Sequence, residues 1–154
     1  MLKITPEPWT FHRDGDRPPR DDDRWILVFG SNLAGRHGAG AALLAQTEFG
    51  AEPGVGQGVR GRSYAIPTKG YRLEVLPLTE IAIAVGEFVE FARLRPDLQF
   101  FVTRVGCGLA GYRNEQIAPM FAHAPDNCSF ARQWEGLIRV ERREQFRAEP
   151  ARGG

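Results

Sequence analysis

The chain has 154 residues, enough for a single domain with one ordinary hydrophobic core. Hydrophobic residues make up 42% and charged residues 25%, a globular composition and not a disordered one. The formal net charge of +1 gives no global attraction for nucleic acid, and no apolar run approaches the roughly 20 residues that span a bilayer. The N-terminus lacks the apolar core of a signal peptide, and the two cysteines, Cys107 and Cys128, read most simply as reduced thiols of a cytoplasmic protein.

Residues 1–24 are rich in Pro, Asp and Arg and read as an irregular surface segment. The run Asp21-Asp22-Asp23 is better explained by a solvated loop than by a metal site, and no metal is expected. Trp25 to Phe29 is short, continuous and apolar, which predicts a buried strand. A helix is expected over Gly40 to Phe49, stopped by Gly50, and a glycine-rich loop over 53–62. Ser63 to Ile66 is a second strand, ended by Pro67.

A longer helix is predicted from Leu78 to Leu94, because Ile81, Val85, Phe88 and Ala92 share one helical face. Thr79 is its expected N-cap, and Pro96 lies just beyond its end. Gln99 to Val105 is the third strand. Asn114 is a cap for a helix carrying Ile117, Met120 and Phe121, strained by Pro119. Asn127 to Phe130 is a last short strand, Trp134 is expected to pack in the core or at an edge, and Arg139, Arg142 and Arg143 mark a solvated helix face. Residues 25–140 thus form one α/β domain with a mixed, largely parallel central sheet, and residues 141–154 read as a flexible tail.

Two glycine-rich loops carry the functional signal. One runs from Gly30 to Gly40 after the first strand, the other from Gly106 to Tyr112 after the third. A strand, a glycine loop and a helix N-terminus together form a backbone phosphate site. In a parallel sheet both loops lie at the carboxyl ends of the strands, where ligands bind. Two such loops suggest a diphosphate held from two sides.

Phe29-Gly30-Ser31-Asn32-Leu33-Ala34-Gly35-Arg36-His37-Gly38, Gly61 through Lys69, and Thr103 through Tyr112 are similar to segments of the macro domain superfamily. The likeness spans about Trp25 to Asn127 and is nearest to an uncharacterised phage-related macro-like family. It implies a three-layer α/β/α sandwich that binds ADP-ribose or a related nucleotide diphosphate, or an ADP-ribosylated macromolecule. No cofactor or membrane is implied, and nucleic acid enters only as a modified substrate. The implied ligand set is Gly30, Ser31, Asn32, Gly38, Ala39 and Gly40 from the first loop. Gly106, Cys107, Gly108, Leu109, Ala110, Gly111 and Tyr112 complete it from the second, with Asn32 on the distal ribose and Tyr112 flanking that ribose or closing the loop. Asp22 and Asp23 are the candidates for the adenine amine.

Hydrolysis of an ADP-ribosyl bond is the alternative, with Asn32 orienting water and His37 as general base. Against it, Ala39 and Ala110 stand where a hydrolytic branch of the family has a lysine and an aspartate. A third alternative is a phage-associated interaction protein that keeps the fold without the ligand. Several residues have two readings. His37 serves catalysis or caps loop backbone, and Asn32 contacts ligand or forms an Asx turn. Arg36 meets phosphate or solvent, and Cys107 is a thiol at a helix N-terminus or simple packing. Lys69 and Arg72 with Tyr71 extend the site toward a larger ligand or a nucleic-acid end, or form a turn between elements.

Overall fold

A computed structural model describes residues 9–148. Its centre is the pair of apolar strands that lead into the glycine loops. β2, Trp25–Asn32, lies parallel to β5, Gln99–Val102, with Leu27 opposite Phe101. β4, Ser63–Lys69, runs parallel along the other side of β2, and β6, Cys128–Ala131, along the far side of β5. β1, Thr10–His12, adds to β6 in parallel, and β3, Gly58–Arg60, pairs antiparallel with β4. The order β1-β6-β5-β2-β4-β3 makes one mixed, mostly parallel sheet in an α/β fold, with four α-helices among the described residues.

Successive strand residues point to opposite faces, so the central strands feed two cores. Ile26, Val28, Tyr64, Ile66, Phe100 and Val102 join the larger one. There they meet Ile81, Val85 and Phe88 of α2, Leu78–Arg93, Ile117 of α3, Asn114–Ile117, and Ile138 of α4, Glu135–Ala148. Leu27, Phe29, Ala65 and Phe101 enter the smaller one with Phe49 and with Ala45 of α1, Gly40–Glu48. Phe88 meets Tyr64 and Phe100 edge-on at 5.1 and 5.4 Å, pairs worth about 0.5–1.5 kcal/mol each beyond area burial.

The N-terminal segment is not irregular throughout. Trp9 is buried, its indole donates to the Ala124 carbonyl at 3.0 Å, and Thr10–His12 form the edge strand. Three residues are too few to show a period, so the strand exists only because β6 offers an edge. At the other end α4 continues through Ala148, so most of the expected tail is helical; residues 149–154 lie outside the described residues. Arg139 and Arg142 do not face solvent alone, since they lie over the Phe11 and Trp9 rings at 5.1 and 4.9 Å. Trp134 is fully buried.

Smaller differences have local causes. β2 runs three residues past Phe29 because Gly30, Ser31 and Asn32 pair with Ile66, Pro67 and Lys69. Pro67 does not end β4: β3 pairs no further than Ala65, so a missing N–H there breaks no ladder. α2 is capped by Pro77, in extended conformation, and Thr79 sits in its first turn. β5 stops at Val102, and a turn follows in which the Val105 N–H meets the Thr103 carbonyl at 2.7 Å. Pro119 converts the end of α3 into a 3-10 turn over Ala118–Phe121.

Candidate functional site

The carboxyl ends of β2 and β5 lie side by side, and a cleft of about 860 Å³ opens beyond them. Gly30, Ser31, Asn32, Gly38, Ala39 and Gly40 line it from the first loop, and Gly106, Cys107, Gly108, Leu109 and Ala110 from the second. Gly111 and Tyr112 do not. The Tyr112 N–H closes the loop on the Gly106 carbonyl at 2.9 Å, and its hydroxyl donates to the Leu76 carbonyl at 2.6 Å. Gly106 has φ +77°, and a Cβ there would press to 3.2 Å from the Ile117 Cδ1. The tight start of the second loop therefore requires glycine.

Both loops leave backbone donors open. In the second, Cys107 and Gly111 donate to the Arg104 and Gly108 carbonyls at 3.1 and 3.0 Å. The N–H groups of Gly106, Gly108, Leu109 and Ala110 meet no acceptor among the described residues. At α1 the cap residue Ala39 supplies no side-chain acceptor, and the first turn has no acidic residue. Gly40, Ala41 and Ala42 line the cleft with N–H groups that likewise meet no acceptor among the described residues. Unpaired N–H groups and the positive end of a helix dipole favour an anion.

The two residues considered for catalysis are held otherwise. The Asn32 amide donates to the Arg36 carbonyl at 2.8 Å and accepts from the Arg36 N–H at 3.0 Å, so both of its ends serve the loop. His37 is 4% exposed, packs edge-on against Phe29 and places Nε2 3.1 Å from the Glu52 carbonyl. It belongs to the packing beneath the loop and is not among the residues lining the cleft. Ser31 donates its hydroxyl to the Gly56 carbonyl. The Cys107 thiol is pushed up by burial, only partly offset by Arg104, which keeps it protonated and suits a packing role.

The acidic wall differs from the one expected. Asp22 caps its own turn through Arg24, whose guanidinium contacts it at 2.8 and 3.0 Å and holds the carboxylate down at about 2. Neither Asp22 nor Asp23 lines the cleft; Asp14 and Asp16 do, together with His12. His12 stacks on Phe101 at 3.7 Å and bonds the Ser129 hydroxyl at 2.8 Å. Burial, opposed by Asp16 and Asp14, lowers its pKa to about 4, so the ring is neutral at pH 7. Sequence patterns miss these residues because β1 has to dock on β6 before they reach the site.

The cations lining the cleft divide into two pairs. Arg17 is bridged to Glu48 at 3.0 Å, and Arg104 to Asp14 at 2.9 Å with a further bond to the Asn114 Oδ1 at 3.2 Å. Arg36 and Lys69 have no ion-pair partner among the described residues. No group of three or more His, Cys, Asp or Glu among the described residues is placed to hold a metal. No helix among them is long and apolar enough to cross a membrane. No protein-family model matches the chain, and no curated protein matches it.

Proposed function

We propose that the protein binds ADP-ribose or a related nucleotide diphosphate in this cleft, as a three-layer macro-like domain. The reading rests on one observation: two glycine loops line a single cleft with backbone N–H groups that meet no acceptor among the described residues. A diphosphate satisfies both sets at once. The volume of about 860 Å³ falls in the range of nucleotide-sized sites, about 300–1,000 Å³. The layer assignment is supported by the two cores, one meeting α1 and the other α2, α3 and α4. A cytoplasmic setting belongs to the same proposal and suits two free thiols.

Binding is preferred over turnover. Asn32 is engaged by Arg36, His37 lies outside the cleft lining, and Ala39 and Ala110 offer no acid, base or nucleophile. Titration calorimetry with ADP-ribose tests the proposal. A saturable heat that Gly108→Asp weakens at least about tenfold is expected, since a carboxylate is placed beside the open N–H groups. No heat and no thermal shift at millimolar ligand refutes it.

A further inference from the structure

The chain between β4 and α2 folds into a hairpin at the mouth of the cleft. Lys69 bridges to Val75, the Gly70 N–H meets the Glu74 carbonyl at 2.8 Å, and the Leu73 N–H meets the Gly70 carbonyl at 3.0 Å. Lys69 and Leu73 line the cleft, while Tyr71 and Arg72 form the tip outside it. Tyr71 is 72% exposed, with no ring contact among the described residues. Leu73 is 42% exposed and holds φ +63°, a strained conformation for an apolar side chain.

Charge distinguishes this end of the cleft. The cations beside β1 are neutralised by Glu48 and Asp14, whereas Arg36, Lys69 and Arg72 have no ion-pair partner among the described residues. Glu74, the acid of the hairpin, is turned onto the Arg72 backbone N–H at 2.9 Å. The diphosphate already has its donors in the two loops. Arg36 and Lys69 in the cleft lining, and Arg72 beyond it next along the chain to the open Tyr71 ring, fit phosphates and a base that run out of the cleft. Chains of phosphates with stackable bases are single-stranded nucleic acids. An acidic peptide matches the charge but leaves the ring without a partner.

We infer that the cleft takes its anionic group from the end of a single-stranded nucleic acid, whose adjoining phosphates run along Arg36, Lys69 and Arg72 with a base stacked on Tyr71. The inference rests on the nucleotide-diphosphate reading of the cleft and names what lies outside it.

The test is fluorescence anisotropy with a labelled single-stranded oligodeoxynucleotide of about ten nucleotides, phosphorylated at the 5′ or the 3′ end. It runs beside ADP-ribose calorimetry on the same full chain. The oligonucleotide is expected to bind and to be displaced by excess ADP-ribose. Its affinity should fall with salt at a log–log slope of about 1.5–2, as for two or three phosphate contacts. Arg72→Glu and Tyr71→Ser, both outside the cleft, should each weaken the oligonucleotide at least about tenfold. They should leave the ADP-ribose affinity within about twofold, since neither side chain reaches the cleft. ADP-ribose binding without oligonucleotide binding overturns the inference, as does oligonucleotide binding indifferent to both variants. A poly-glutamate peptide that binds as well, and is lost in Arg72→Glu but not in Tyr71→Ser, also overturns it. Failure of ADP-ribose itself, with the oligonucleotide bound and sensitive to both variants, overturns only the nucleotide-diphosphate reading.

Discussion

Gly56→Ala probes the joint on which the first loop rests. Gly56 is buried against the end of β2, and a Cβ built on it falls onto the Asn32 carbonyl oxygen. It also lies 2.8 Å from the Leu33 Cα and 2.9 Å from the Asn32 carbonyl carbon. Carbon atoms pack at about 3.5–4.0 Å, so at least ~0.7 Å of movement is needed. All three neighbours are backbone and cannot rotate aside. Relief requires shifting residues 54–57 or 31–33, which costs the buried Ser31 hydroxyl bond to Gly56 and strains the Leu33 N–H bond to Lys69 at 2.9 Å. Overpacking at about 1–3 kcal/mol and one compromised buried hydrogen bond at about 1–2 kcal/mol sum to roughly 2–5 kcal/mol. For a chain of this size that is a drop of about 4–20 °C in Tm. Gly38→Ala is the control, because nothing lies within 4 Å of its Cβ position and its φ is not positive; its stability should stay within ~0.5 kcal/mol. Differential scanning calorimetry on both variants is decisive. A Gly56→Ala protein that melts within about 2 °C of the parent refutes the packing described for this loop.

Two further outcomes follow from the His12 wall of the cleft and from residues 19–22, a strap held down by Arg62. His12 holds its proton more weakly in the folded chain, at about 4, than the ordinary 6.5, so between those values the unfolded chain binds more protons. Stability is therefore full above pH 6.5 and falls as the pH drops toward 4, by about 1–2 kcal/mol after discounting for its partial exposure. Urea titrations across that window should show the fall, and His12→Gln should flatten it; an equal slope in both proteins sinks the assignment. Arg62 donates to the carbonyls of Pro19, Arg20 and Asp22 at 2.8, 2.6 and 2.7 Å and lies over the Phe49 ring. Arg62→Ala should cost about 2–3 kcal/mol in urea denaturation and speed trypsin cleavage after Arg20 at least about tenfold. Arg62→Lys should rescue little, because an ammonium lacks the planar fork. Unchanged cleavage in Arg62→Ala refutes the strap.

Features carried by a few neighbouring residues are legible in the sequence. The apolar runs entering the glycine loops form β2 and β5, and Ile81, Val85, Phe88 and Ala92 are all buried along α2, because burial follows period. The convergence of both loops on one cleft follows from parallel strands with glycine loops at their carboxyl ends. Side-chain roles inside the loops are less legible. Asn32 has the right chemistry for a ligand, but the fold of its own loop sets Arg36 against it, and His37 turns toward Phe29 and Glu52.

The sequence by itself determined the strand–glycine–helix units and the backbone donors they leave open, since each depends on propensity and spacing over about ten residues. Only the tertiary structure decided which distant side chains wall the cleft. His12, Asp14 and Asp16 reach it because β1 pairs with β6, more than a hundred residues along the chain, and α4 packs Arg139 and Arg142 over Phe11 and Trp9. Three edge residues carry too little local preference to form a strand alone. Their register is set by the partner that buries them, and with it the chemistry of one side of the site.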